Sequence, residues 1–278
     1  MKPRKQLVAH PLVQKVQNNL QPLLEAAGSK LKELWKEGKW RNKEPAKLLE
    51  YQWYDHNVFT QLSAIISATE RLEQSQIFIR TFPKPRSYEK LRINQYTWIE
   101  YHYSNYIITL VGLFDIALIL TNSVFRLGNQ ERDCKTDLIT MNSWVANTPV
   151  QQALKNLDNL IKPHREGRNL HVHRGTVPDI ATAMGEEELD LLKAISPVWL
   201  FGKLLIDRKI VDFTYKKHVG KICKALQTER NEIDNMIWQL FDNLLPIYVE
   251  KSTALHEKWR LIFEKELGRR KNLHSKPN

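Results

Sequence analysis

The chain has 278 residues, with 42 Lys and Arg against 31 Asp and Glu, a net charge of +11 and a pI near 9.5. That length holds one large domain or two modest ones with a real core, and the basic excess favours nucleic acid or an anionic surface as partner. Cys134 and Cys223 form neither a metal-binding spacing nor a disulfide framework and suit a reducing cytoplasm, while the polar start Met-Lys-Pro-Arg-Lys argues against a secretory signal.

Residues 1–50 contain eleven Lys and Arg against five Glu. Leu20, Leu23, Leu24, Leu31, Leu34 and Trp35 recur at helical spacing, with Gly28 and Gly38 as expected interruptions. We read residues 1–49 as a basic helical N-terminal extension. Residues 50–79 predict the first core helix, striped by Val58, Leu62, Ile65, Ile66 and Leu72 and ended by Pro83-Lys84-Pro85. Residues 95–127 predict a second. Its apolar part, 106–125, has the length to span a membrane, but Asp115, Thr109, Thr121 and Asn122 interrupt it, so it reads as the buried central helix of a bundle. Asp115 in that setting needs a partner, because an unpaired buried carboxylate is costly. Tyr96, Trp98, Tyr101, Tyr103 and Tyr106 are read as core and rim packing, with base stacking as the alternative.

Gly128-Asn129 closes that helix, and 129–147 reads as a polar connection. A strong start follows: Thr148 as cap, Pro149 at the first helical position and Gln151 completing a capping box. Val150, Ala153, Leu154, Leu157, Leu160 and Ile161 then mark an amphipathic helix that Lys162-Pro163 is expected to end or kink. Beyond lie an acidic turn, Glu186-Glu187-Glu188, with Leu189, Leu192 and Ile195, and a piece over 199–206. Next come a helix striped by Ile233, Met236, Ile237, Leu240, Phe241 and Leu244 before Pro246, and a last one through Leu255, Trp259, Ile262, Phe263 and Leu267. No segment shows strand alternation. The chain reads as an all-α antiparallel bundle, with a helical domain over 50–267 (motif-bearing core 50–180, additional helices 186–267) and a basic tail, 268–278.

The twelve residues from His164 to Gly175 concentrate three histidines and three arginines. Histidine titrates near neutral pH and arginine forks onto phosphate oxygens. Placed at a helix start opened by Pro163, the group would also meet unpaired backbone N–H donors that favour phosphate. Metal binding through His164, His171 and His173 is disfavoured, because helical residues two apart point nearly opposite ways and no further ligands lie nearby. A solvated basic surface is the bland alternative. The third reading is a metal-free ribonuclease, in which a histidine moves the 2′-hydroxyl proton and an arginine stabilises the charged phosphorus.

Arg168-Asn169-Leu170-His171-Val172-His173 resembles the Arg-x4-6-His signature of the HEPN superfamily, including the polar residue directly after the arginine. The resemblance covers the motif and helix order over about 50–180. It implies an all-α bundle and a cytoplasmic, metal-independent endoribonuclease of a toxin or antiviral-defence type. Products would be a 2′,3′-cyclic phosphate and a 5′-hydroxyl. It implies RNA as partner, a homodimer with a composite site, and a neutralising antitoxin or regulatory partner; no metal, cofactor or membrane is expected. Arg168 would be the transition-state cation, Asn169 would orient, and His173 would be general base or acid, with His171 and Asp115 supporting and Arg165 and Arg174 on RNA. Arg165 with His171 is a second register, with Glu166 in the place of the asparagine. The competing function is a non-catalytic RNA- or nucleotide-binding HEPN module.

Overall fold

The computed structural model describes residues 7–36, 48–83, 91, 93, 95–174 and 208–274. Among these it is all-α. A short 3-10 turn, Leu7–Ala9, leads into α1 (Pro11–Lys36), followed by α2 (Glu50–Arg80) and α3 (Gln95–Phe125). A second 3-10 turn, Glu131–Asp133, and the short α4 (Thr136–Thr140) lie where a polar connection was expected; α5 (Pro149–Arg174) and α6 (Arg208–His274) complete the set. Gly38, Lys84, Pro85 and the stretches 175–207 and 275–278, including the acidic turn and the piece at 199–206, lie outside the described residues.

The helices group into two compact units, each built from parts of several helices. One comprises Met1–Ala64, Ala117–Leu154 and Trp238–Asn278. Leu12, Val16 and Leu20 of α1, Val58 and Leu62 of α2, and Phe241, Leu244 and Tyr248 of α6 are buried in it. Leu12, Val16 and Leu20 repeat every four residues, so one face of α1 is core while its charges stay in water. A buried carboxylate ties three helices here. Asp55 accepts from Tyr248 Oη at 2.6 Å and Ser252 Oγ at 3.1 Å, and its other oxygen pairs with His256 Nε2 at 2.8 Å. Asn19 of α1 donates to both Tyr248 Oη and Ser252 Oγ.

The other unit, Ile65–Ile116 with Lys155–Ile237, carries the candidate site. Its α2 and α3 segments run antiparallel: Ser75 Oγ accepts from Asn105, and Phe78 lies against Trp98 and His102. Its α2 and α6 segments also run antiparallel, since Gln76 meets Cys223 and Gln227 while Ile79 meets Tyr215. The core is apolar: Ile65, Leu72, Ile79, Leu110, Phe114, Ile161, Ile222 and Ile233 are fully or almost fully buried.

Three expected helix ends do not occur: α1 passes Gly28, α5 passes Pro163 and α6 passes Pro246, and α1 also carries Pro22 inside it. A helical proline withdraws one donor and crowds the carbonyl four residues back. Here those carbonyls belong to Asn18, Asn159 and Asp242, and all three residues, like the three prolines, are exposed. Water reaches the abandoned acceptors, while the opposite faces stay packed. Gly28 sits in open space on the exposed part of α1, where it costs the helix only about 1 kcal/mol.

The helix boundaries set by chemistry are closer to expectation. Thr148 Oγ1 accepts from Gln151 N at 3.4 Å, and Gln151 Oε1 reaches back to Asn147 N at 3.2 Å, so the box closes one residue early. α3 ends through Arg126 rather than Gly128-Asn129. Arg126 takes φ +58°, and Leu127 N bonds Asn122 O at 3.0 Å, the 6→1 link of a Schellman end. The Arg126 guanidinium is held by Glu50 at 2.7 Å. By length and composition α3 is apolar enough to cross a membrane, yet 67% of its most apolar window is buried inside the protein. It serves as the bundle's central core helix.

Candidate functional site

The His/Arg motif occupies the last turns of α5, not a helix start. The expected phosphate-binding N-terminus at Pro163 is therefore corrected: backbone N–H groups after Pro163 lie within a running helix. Position on that helix decides what each residue can reach. Val150, Ala153, Leu154, Leu157 and Ile161 form the buried stripe. Carried forward at about 100° per residue, that stripe runs through Arg168, with His164 and Arg165 to either side one turn earlier. The position of His171 lies about 60° from Arg168, Asn169 about 100° away and His173 about 140° away. Burial agrees where side chains are described: His164, Arg165 and Arg168 are half-buried and Asn169 is exposed. The side chains of His171, His173 and Arg174 lie outside the described set.

Among the motif residues whose side chains are described, Arg168 is the least satisfied. Its Nε is buried and has no hydrogen-bond partner. Asp115 of α3 lies within electrostatic reach. Asp115 is exposed, not the buried carboxylate expected on a core helix, and only its partial desolvation raises the carboxyl pKa above the usual value, opposed by the charges of Arg168 and then Arg165. No hydrogen bond or ion pair within contact distance joins Asp115 to either arginine. Part of this guanidinium's bonding capacity is thus unused by the described side chains, and because Nε is shielded from solvent an anion would reach it only by a shift of the side chain.

Arg165 is occupied differently. It forms an ion pair with Asp158 and lies over the Phe114 ring, 5.0 Å from its centroid. An RNA contact by Arg165 would have to displace these. His164 is held most firmly: its Nε2 meets Glu229 Oε1 at 2.6 Å, and Glu229 Oε2 accepts from Tyr106 Oη at 2.9 Å. Tyr106 is fully buried, and burial, then the neighbouring Glu229 charge, pushes its hydroxyl well above the ordinary phenol range. It stays protonated and keeps donating to the carboxylate. Glu229 was missed from sequence. The readable signal was a carboxylate four residues before Ile233 on the apolar face of α6, since such a position demands a partner.

Among the described residues no group of three His, Cys, Asp or Glu is arranged to hold a metal. The unit is an all-α bundle with an arginine-histidine motif on a helix packed against the central apolar helix, the architecture of a HEPN domain. The family described as HEPN_Cthe2314-like HEPN matches residues 62–237, more than half of the chain, and the protein belongs to that family. Membership points to a function of RNase or nucleotide-related type. Neither the curated proteins nor the solved structures yielded a match.

Proposed function

We propose that this protein is a metal-independent endoribonuclease in which Arg168 stabilises the charge gathering on a scissile phosphate. The observation that carries the reading is the Arg168 guanidinium itself, half-buried on the site face with Nε unpaired, and with Asp115 near enough to bias but not to neutralise it. A donor kept unsatisfied in a partly desolvated place is costly to the fold and worth most to an incoming phosphate. The 2′-oxygen would attack phosphorus, and the products would be a 2′,3′-cyclic phosphate and a 5′-hydroxyl. His173 is the motif's proton-transfer group and Asn169 its orienting neighbour. Their helical positions lie away from Arg168, so a site using them with Arg168 draws on a second copy of the chain, and we propose a homodimer in the cytoplasm. A toxin or antiviral-defence setting, with a neutralising antitoxin or other regulatory partner, rests on the family resemblance alone.

Purified protein incubated with RNA in EDTA tests this. We expect cleavage with cyclic-phosphate ends, and a loss of about a hundredfold or more in Arg168→Ala and in His173→Ala. Cleavage by His173→Ala at the parent rate removes His173 from the site. The angular gap between Arg168 and His173 favours one competing reading, a HEPN-type RNA- or nucleotide-binding module without catalysis. A folded parent that binds RNA and leaves it intact would establish that reading instead.

A further inference from the structure

We propose that His164, held by Glu229 and Tyr106, is the general base that works with Arg168 in this site. The inference rests on the ribonuclease reading above and adds a residue outside the Arg168–His173 motif. Three helices converge to orient one imidazole. α3 supplies Tyr106, α6 supplies Glu229 and α5 supplies His164. Glu229 divides its oxygens between the two, Oε1 on the imidazole and Oε2 on the phenol. With Nε2 fixed on Glu229, Nδ1 is the nitrogen left for a substrate, and the side chain keeps 23% of its surface open to solvent.

Helix geometry sets the pairing. His164 precedes Arg168 by four residues, so both lie on the stripe side of α5, one turn and about 6 Å of rise apart. A phosphate held on the Arg168 guanidinium therefore has the imidazole beside it along the strand direction. The position of His173 lies nine residues further on, about half a turn around and roughly 13 Å along the axis. His164 and His173 of one copy do not serve the same phosphate. The carboxylate-imidazole pair also supplies what a general base needs, since an anion behind the ring fixes its tautomer and stabilises the cation formed on proton uptake.

The step balances without a further reagent. Nδ1 of neutral His164 takes the 2′-hydroxyl proton, and the resulting imidazolium is stabilised through its Nε2–H by Glu229. The O2′–P bond forms, the P–O5′ bond breaks, and O5′ departs with a proton, the acid role that falls to the motif's own proton-transfer group, His173 of a second copy. Tyr106 and Glu229 touch no substrate and are positioning residues.

Single-turnover cleavage of RNA in EDTA, measured across pH, tests the assignment. In the parent, general-base catalysis makes the rate rise from acidic pH to a plateau. We expect His164→Ala to lose about a hundredfold at neutral pH and to lose that rising limb, with added imidazole restoring part of the rate. Glu229→Gln keeps an acceptor for Tyr106 but removes the charge, so the limb should move to lower pH with a reduced plateau. A merely structural role would lower the plateau in both variants and leave the limb in place. Parent-like pH profiles for His164→Ala and Glu229→Gln, beside an inactive Arg168→Ala, overturn this inference and leave the ribonuclease reading standing. A parent that cuts no RNA overturns both. Should His164→Ala not fold, the limb in Glu229→Gln decides alone.

Discussion

Asp115 and His102 lie on the same helix, and burial pushes both toward their neutral forms, Asp115 upward and His102 downward. They differ in company. Asp115 has two arginines acting on it, whereas His102 is packed by Phe78, Trp98 and Tyr101 rings at 4.9, 4.4 and 5.2 Å, and neither ring nitrogen has a hydrogen-bond partner. No charge contributes to its shift; burial alone causes it. In the unfolded chain the imidazole titrates near 6.5, and in the fold it titrates lower. Above the unfolded value both states are neutral and the site has no pH dependence. As pH falls below about 6.5 the unfolded chain binds a proton that the fold refuses, so stability drops until the folded value is reached. Urea midpoints at pH 7.5 and 5.5 should show this fall in the parent and a smaller one in His102→Phe, which keeps the aromatic packing. An equal fall in both would mean that His102 is not the acid-sensitive group.

At the scale of helices, the prolines are where sequence and structure part. The stripes over 50–79 and 95–127 gave α2 and α3 nearly to the residue, because a long buried face writes its period into the sequence. Pro163 and Pro246 looked like ends because proline chemistry is local. Whether a helix tolerates one depends on which way the abandoned carbonyl faces, and that is fixed only by packing. The error reached the site: a false start at Pro163 put the motif at a helix N-terminus, while the continuous α5 sets Arg168 on the core side and Asn169 outward. A role for His164 was not legible in sequence, since its partners lie 58 and 65 residues away in Tyr106 and Glu229, with no local signal joining them. Continuity makes a prediction. Pro163→Ala restores the donor to the Asn159 carbonyl and relieves the crowding, partly offset by the freer unfolded chain. We expect a gain of about 1 kcal/mol or more, a rise of roughly 2–4 °C in thermal midpoint. A lower midpoint would show that proline is needed there, as it would be at a true helix start.

For the whole chain, the +11 charge and the motif answer different questions, and one pair of oligonucleotides separates them. Charge reads the phosphate backbone, which RNA and DNA share, and binding through it weakens with salt by a log–log slope of about −0.7 per phosphate on a single strand. If about four phosphates are engaged, affinity should fall with a slope near −3, and to a similar degree for RNA and DNA of one sequence. Cleavage reads the sugar. DNA has no 2′-hydroxyl to surrender a proton to the general base, so in EDTA it should bind and stay whole while RNA is cut. RNA carrying one 2′-deoxy sugar on the 5′ side of the cleaved phosphate should be spared at that position and cut elsewhere as before. DNA cleavage in EDTA would remove 2′-oxygen attack from the mechanism whatever the role of Arg168. Binding that ignored salt would move recognition from the basic surface to base-specific contacts, which the charge alone does not predict.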